Sequence, residues 1–133
     1  MTTSRLMRWG IFSSLILLFV VGQAGLALAH ANLIRSEPTA GAVLPQSPAR
    51  VLLEFSENLD LNTSSVELTD AKSQVVVKGP GQTDPASPRL LTLPLPALPD
   101  GVYSAVWQAR SAADGHFTKG SVSFSVGVSA PRA

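Results

Sequence analysis

The feature that most constrains the fold is strict two-residue alternation in a proline-rich background. From Gly101 to Arg110, Val102, Ser104, Val106 and Gln108 fall on one face, and Tyr103, Ala105, Trp107 and Ala109 on the other. Ser121 to Val126 repeats the pattern, with Val122, Phe124 and Val126 set against three serines. From residue 30 onward no apolar period of 3.6 residues is sustained, and the ten prolines there discourage helices.

Further strands are expected at Ala31 to Arg35, Arg50 to Phe55 and Leu90 to Leu95. Ser65 to Thr69 and Gln74 to Lys78 read as a hairpin joined through Asp70-Ala71-Lys72-Ser73. Gly79 to Pro88, with three prolines and two glycines, reads as a loop. About seven short strands at this spacing predict an all-β fold, a Greek-key β-barrel or immunoglobulin-like sandwich. Tyr103 and Trp107 share a strand face and are expected in its core.

Residues 1–29 read as a secretory signal peptide, followed by one domain at 30–133. Arg5 and Arg8 precede the apolar stretch Ile11 to Val21, and Ala27-Leu28-Ala29 offers a small-x-small cleavage site. The arginines are not adjacent, which favours the general secretory route over the twin-arginine route. Uncleaved, Trp9 to Ala29 is apolar enough to anchor the chain in a bilayer. Cleavage after Ala31 or after Ala27 offers other starts. A start at His30 leaves 104 residues, the right size for one modest core, and a soluble periplasmic protein is expected. Lys+Arg then fall from 10 to 8 against 9 acids, with no basic run, so no nucleic-acid partner is expected. The dispersed basic residues, Arg35 and Arg110 among them, read as solvated surface.

Composition also bounds the metal chemistry. The chain has no cysteine, and its two methionines, Met1 and Met7, lie in the signal segment. Thiolate and thioether ligands are therefore absent, leaving imidazole, amine and carboxylate. There are two histidines, His30 at the expected mature start and His116 in Asp114-Gly115-His116 between the last two long strands. An N-terminal histidine chelates through its α-amine and Nδ1, and the amine yields its proton to a metal near neutral pH. With one nitrogen from His116 and an oxygen from Asp114, the set would be tetragonal N/O, which suits Cu(II). Each piece has a plainer reading. Asp-Gly is a common hairpin turn, and His116 by itself suits a surface loop.

Three segments carry a family resemblance. They are His30-Ala31-Asn32-Leu33 leading into Ser36-Glu37-Pro38-Thr39-Ala40-Gly41; Phe55-Ser56-Glu57-Asn58-Leu59; and Trp107, Ser111, Asp114-Gly115-His116, Gly120 and Phe124 in the closing stretch. Through them the sequence resembles the CopC copper-resistance proteins of the bacterial periplasm over essentially all of residues 30–133. The resemblance implies a Greek-key β-barrel and a Cu(II) site made of the N-terminal amine and imidazole, an aspartate and a histidine. By position these are His30, Asp114 and His116. Glu57 matches an acid near that site and is a candidate outer or axial participant, though an acid there could equally stabilise a turn. The methionine-rich Cu(I) stretch of some members is missing, so a Cu(II)-only type is implied.

The leading expectation is a monomeric copper carrier or buffer, with a CopD-like inner-membrane transporter as a separate partner. Two other classes compete. A small copper monooxygenase of the lytic polysaccharide kind also uses an N-terminal histidine chelate. Asp114 would block the open position such chemistry needs, and the chain is short for a flat polysaccharide surface. The third class is a metal-free sandwich interaction module.

Overall fold

The computed structural model describes residues 30–79, 82–84 and 86–127; the expected signal peptide and the C-terminal tail lie outside them. Among the described residues there is no helix, and so none long and apolar enough to cross a membrane. Nine strands follow in order: β1 (Leu33–Glu37), β2 (Val43–Leu44), β3 (Arg50–Phe55), β4 (Ser65–Thr69), β5 (Val75–Lys78), β6 (Gln82–Asp84), β7 (Ser87–Pro94), β8 (Gly101–Arg110) and β9 (Phe117–Val126). They form a four-stranded sheet, β1-β3-β7-β6, and a five-stranded sheet, β2-β9-β8-β4-β5. The chain changes sheets five times, on either side of β2, between β3 and β4, between β5 and β6, and between β7 and β8.

The sandwich expectation holds and the barrel expectation is corrected. The sheets stay separate because their edges are short or irregular. β2 contributes two residues, β6 three, and β1 carries a register break between Leu33 and Arg35. Two strands beyond the expected seven account for the higher count. β6 lies within the segment read as a loop. β2 pairs in parallel with the end of β9, through Val43 with Ser125 and Leu44 with Val126.

The alternation in β8 sorts as the pattern requires. Tyr103, Ala105, Trp107 and Ala109 are buried, while Val106 on the other face is 40% exposed. From β9, Val122, Phe124 and Val126 join them, and the opposite sheet adds Val51, Leu53, Phe55, Leu91 and Leu93. Phe55 meets Trp107 edge to face with centroids 5.0 Å apart, tying the sheets together at one end of the core. At about 25 cal/mol per Å² of apolar surface buried, this single core is the main stabilising term in a domain without disulfides.

β8 and β9 form a long hairpin, paired from Gly101–Val126 to Arg110–Phe117. It closes through residues 111–116, at the end of the sandwich where β3 leaves through Ser56.

Candidate metal centre

The loop at residues 111–116 is held by its own backbone. Ser111 N–H donates to the His116 carbonyl at 3.0 Å, and Gly115 N–H donates to the Ser111 carbonyl at 2.9 Å. Gly115 sits at φ +71°, a left-handed conformation that a residue with a Cβ adopts only at a cost. Asp114 Oδ1 accepts the His116 N–H at 3.0 Å, a local side-chain to backbone bond typical of aspartate in turns.

Neighbouring elements brace the loop from outside. Ala112 N–H donates to the Asn58 carbonyl at 2.9 Å, and Asp60 N–H to the Arg110 carbonyl at 2.8 Å. Arg110 Nε donates to the Gly115 carbonyl at 3.1 Å, while Nη1 lies 3.6 Å from Asp60 and the guanidinium sits 5.4 Å from the centre of the Phe117 ring. Arg110, read from sequence as solvated surface, is a brace of this loop. A dispersed basic pattern carries no signal for that role, because Asp60, Gly115 and Phe117 meet it only through the fold.

His30 arrives from the other side. Ala31, fully buried, pins the segment, and Ser56 and Thr118 bond to the backbone around it. As a result His30, Asp114 and His116 each place a ligand atom within 4.8 Å of the others. His30 Nδ1 lies 3.7 Å from Asp114 Oδ2, and His116 Nδ1 lies 3.1 Å from that same oxygen. The two imidazoles meet nearly edge to face, 5.2 Å between centroids. All three sequence-predicted ligands converge. Glu57, half-buried beside Ser56, stays outside this group.

The donor set fits a divalent metal. With metal–ligand bonds of about 2.0–2.2 Å, neighbouring ligand atoms stand about 3 Å apart and opposite ones about 4 Å; the 3.1 and 3.7 Å separations fall in that window. Asp114 Oδ2 is buried and makes no well-formed hydrogen bond, although His116 Nδ1 lies 3.1 Å away. A buried oxygen left unpaired is costly and calls for a reason, and two imidazoles flanking it supply one. The His116 backbone N–H, helped by the His116 ring and the Ser111 hydroxyl, holds the Asp114 carboxyl below its ordinary range against the opposing effect of burial. Asp114 is therefore an anion throughout neutral pH and needs no proton removed to act as a ligand.

Fold and site together define a small β-sandwich domain with a histidine–carboxylate cluster at one end that could hold a metal ion. The CopC domain family matches residues 33–127, and the chain belongs to that family. It is 34% identical over 124 residues to the copper resistance protein C of Pseudomonas syringae pv. tomato, covering 86% of this chain and 95% of the relative. Among solved structures it is similar to CopC from Methylosinus trichosporium OB3b, with a TM-score of 0.69 and 32% identity over 73% of this chain and 93% of that one. It is also similar to PcoC, a methionine-rich copper resistance protein from Escherichia coli, with a TM-score of 0.59 and 32% identity over 74% and 99%. As a member of this copper-binding family the chain serves copper handling and is not an enzyme, which removes the monooxygenase reading.

Proposed function

We propose that the chain is a periplasmic Cu(II) carrier or buffer whose mature form begins at His30. Before cleavage the nitrogen of His30 is an amide joined to Ala29; signal cleavage would free it as an amine. The α-amine and Nδ1 of His30, one imidazole nitrogen of His116 and Oδ2 of Asp114 would then hold one Cu(II) in a tetragonal N₃O set. The observation that carries this reading is the unpaired, buried Oδ2 flanked by both histidines.

The buried Ala31 supports the register. Cleavage after Ala31 would discard a fully buried residue and a ligand together, and cleavage after Ala27 would leave two residues ahead of His30. We place Glu57 as an outer participant, since an axial bond would require its carboxylate to turn toward the group. No methionine follows residue 7, so a second, thioether Cu(I) site has no ligands in this domain. A monomer that exchanges copper with a separate CopD-like membrane transporter is the arrangement we favour.

The test is a competitive Cu(II) titration with EPR on two chains, one starting at His30 and one carrying an extra alanine before it. The first should give a tight one-to-one type 2 signal that the second loses. Equal, weak binding by both chains would remove the N-terminal chelate.

A further inference from the structure

The ligands do not share a strand, so something must fix the distance from His30 to His116. The hydrogen bonds around Ala31 show what does. Ser56 N–H donates to the Asn32 carbonyl at 2.8 Å, extending the β1–β3 ladder past Leu33. The Ser56 hydroxyl then works in both directions, accepting the Asn32 N–H at 3.0 Å and donating to the His30 carbonyl at 3.1 Å. On the opposite side the Thr118 hydroxyl donates to the Ala31 carbonyl at 2.5 Å.

These two hydroxyls come from different sheets. Ser56 follows β3 of the four-stranded sheet; Thr118 lies in β9 of the five-stranded sheet, two residues after His116. A closed path results, from His30 to Ala31, across to Thr118, and back through Phe117 to His116. Thr118 is itself fixed by its pairing with Ala109 across the β8–β9 hairpin. The same strand that delivers one ligand therefore grips the residue next to the other.

We propose that Ser56 and Thr118 are positioning residues, a two-hydroxyl clamp that presents the nitrogens of His30 to copper at a set distance from Asp114 and His116. This rests on the copper reading above. Neither residue touches the metal. Their effect is to order the first residues of the mature chain before copper arrives, so that binding does not have to order them. A valine at 118 keeps the shape and removes the donor; a serine keeps the donor.

The experiment measures Cu(II) affinity by competition, together with the EPR spectrum and the melting midpoint without copper, in chains that begin at His30. Thr118→Val and Ser56→Ala should each weaken affinity by about 10- to 100-fold, the scale at which groups supporting metal ligands act. Thr118→Ser should stay within about threefold of the parent because its hydroxyl remains. The decisive comparison repeats Thr118→Val in a chain with His30→Ala and a Gly-Ser dipeptide placed ahead of it, which removes the imidazole and carries the amine away. There the substitution should change the residual affinity by less than about twofold.

A loss of the same size in both backgrounds would mean that Thr118 acts through the 111–116 loop or the fold at large, and the clamp would be overturned. Unchanged affinity for both Thr118→Val and Ser56→Ala in a tightly binding parent would overturn it while leaving the copper site standing. A parent that binds no more tightly than the His30→Ala chain would overturn the copper reading and the clamp with it.

Discussion

Gly120→Ala tests the packing account at the point where it is tightest. Gly120 faces Trp107 across the β8–β9 pair. A Cβ at 120 would lie 2.5 Å from Trp107 Cζ2, 2.9 Å from Cε2 and 3.2 Å from Nε1. Carbon atoms pack best at about 3.5–4.0 Å, so the indole must retreat by about 1 Å. It has little room, because Trp107 is buried and its ring already meets Phe55, which is 0% exposed, at 5.0 Å. Overpacking of this kind costs about 1–3 kcal/mol. Replacing a strand glycine with alanine returns about 0.5–1 kcal/mol of backbone entropy. The net is about 1–2 kcal/mol of destabilisation, a fall in melting midpoint of about 4–15 °C for a domain this size. Trp107 is the single tryptophan left once Trp9 is removed, so its emission reports the ring directly while circular dichroism follows the melt. The same substitution in a Trp107→Phe background should be close to neutral, giving a coupling of at least about 1 kcal/mol. An unchanged or raised midpoint with unchanged Trp107 emission would refute the close-approach argument.

At the metal centre, His116→Ala should weaken Cu(II) binding by more than about 100-fold, beyond what loss of a supporting residue does. Asp114→Ala should cost less, since three nitrogens remain; competition titrations that leave affinity untouched in both variants would show that the ligands lie elsewhere. Gly115→Ala forces a Cβ into a left-handed backbone at φ +71° and should lower stability by about 1–2 kcal/mol in urea, with Gly115→Asn milder. Burial first, then the charges of Asp70 and Asp100, raises the pKa of Tyr103, whose hydroxyl donates to the Pro99 carbonyl at 2.6 Å. Its contribution to stability is therefore whole below about pH 10, where the unfolded phenol ionises, and is lost as pH climbs through the higher folded pKa, at up to about 1.4 kcal/mol per pH unit. Urea melts from pH 9 upward should show that decline in the parent and a flatter one in Tyr103→Phe; equal slopes would count against it.

What could be read in the sequence follows from where the signal is local. The β8 alternation gave its buried face correctly, because each side chain there reports its own side of the sheet. The alternation in β9 is legible only from Ser121, although the strand begins at Phe117. Its first residues put Thr118 and Gly120 on the inner face and leave Phe117 49% exposed, which erases the apolar rhythm. β2 has no local pattern at all, being two residues whose order depends on the end of β9. β6 was hidden by the prolines and glycines around it. The convergence of His30, Asp114 and His116 is legible from their chemistry and position, and Asp-Gly is a hairpin feature as well. Ser56 and Thr118 are not legible, since a serine and a threonine look alike in a clamp and on a solvated face.

The orphaned carboxylate oxygen links stability to function. Ser111, Gly115, Arg110 and Asn58 all make backbone contacts whose combined effect is to hold Asp114 with Oδ2 between the two imidazoles and without a well-formed hydrogen bond. Side-chain exposure at the site is graded, at 47% for His30, 54% for His116 and 14% for Asp114. A metal ion approaching from solvent meets the imidazoles first and the carboxylate last. The carboxylate is ionised already, held by the His116 N–H, so its binding to a metal ion would require neither a proton to leave it nor the core to open. An ion seated at the end of the sandwich, over two exposed rings, can also leave by the path it entered. That arrangement suits a protein that must both hold copper and give it up, and suits poorly one that buries a metal for good.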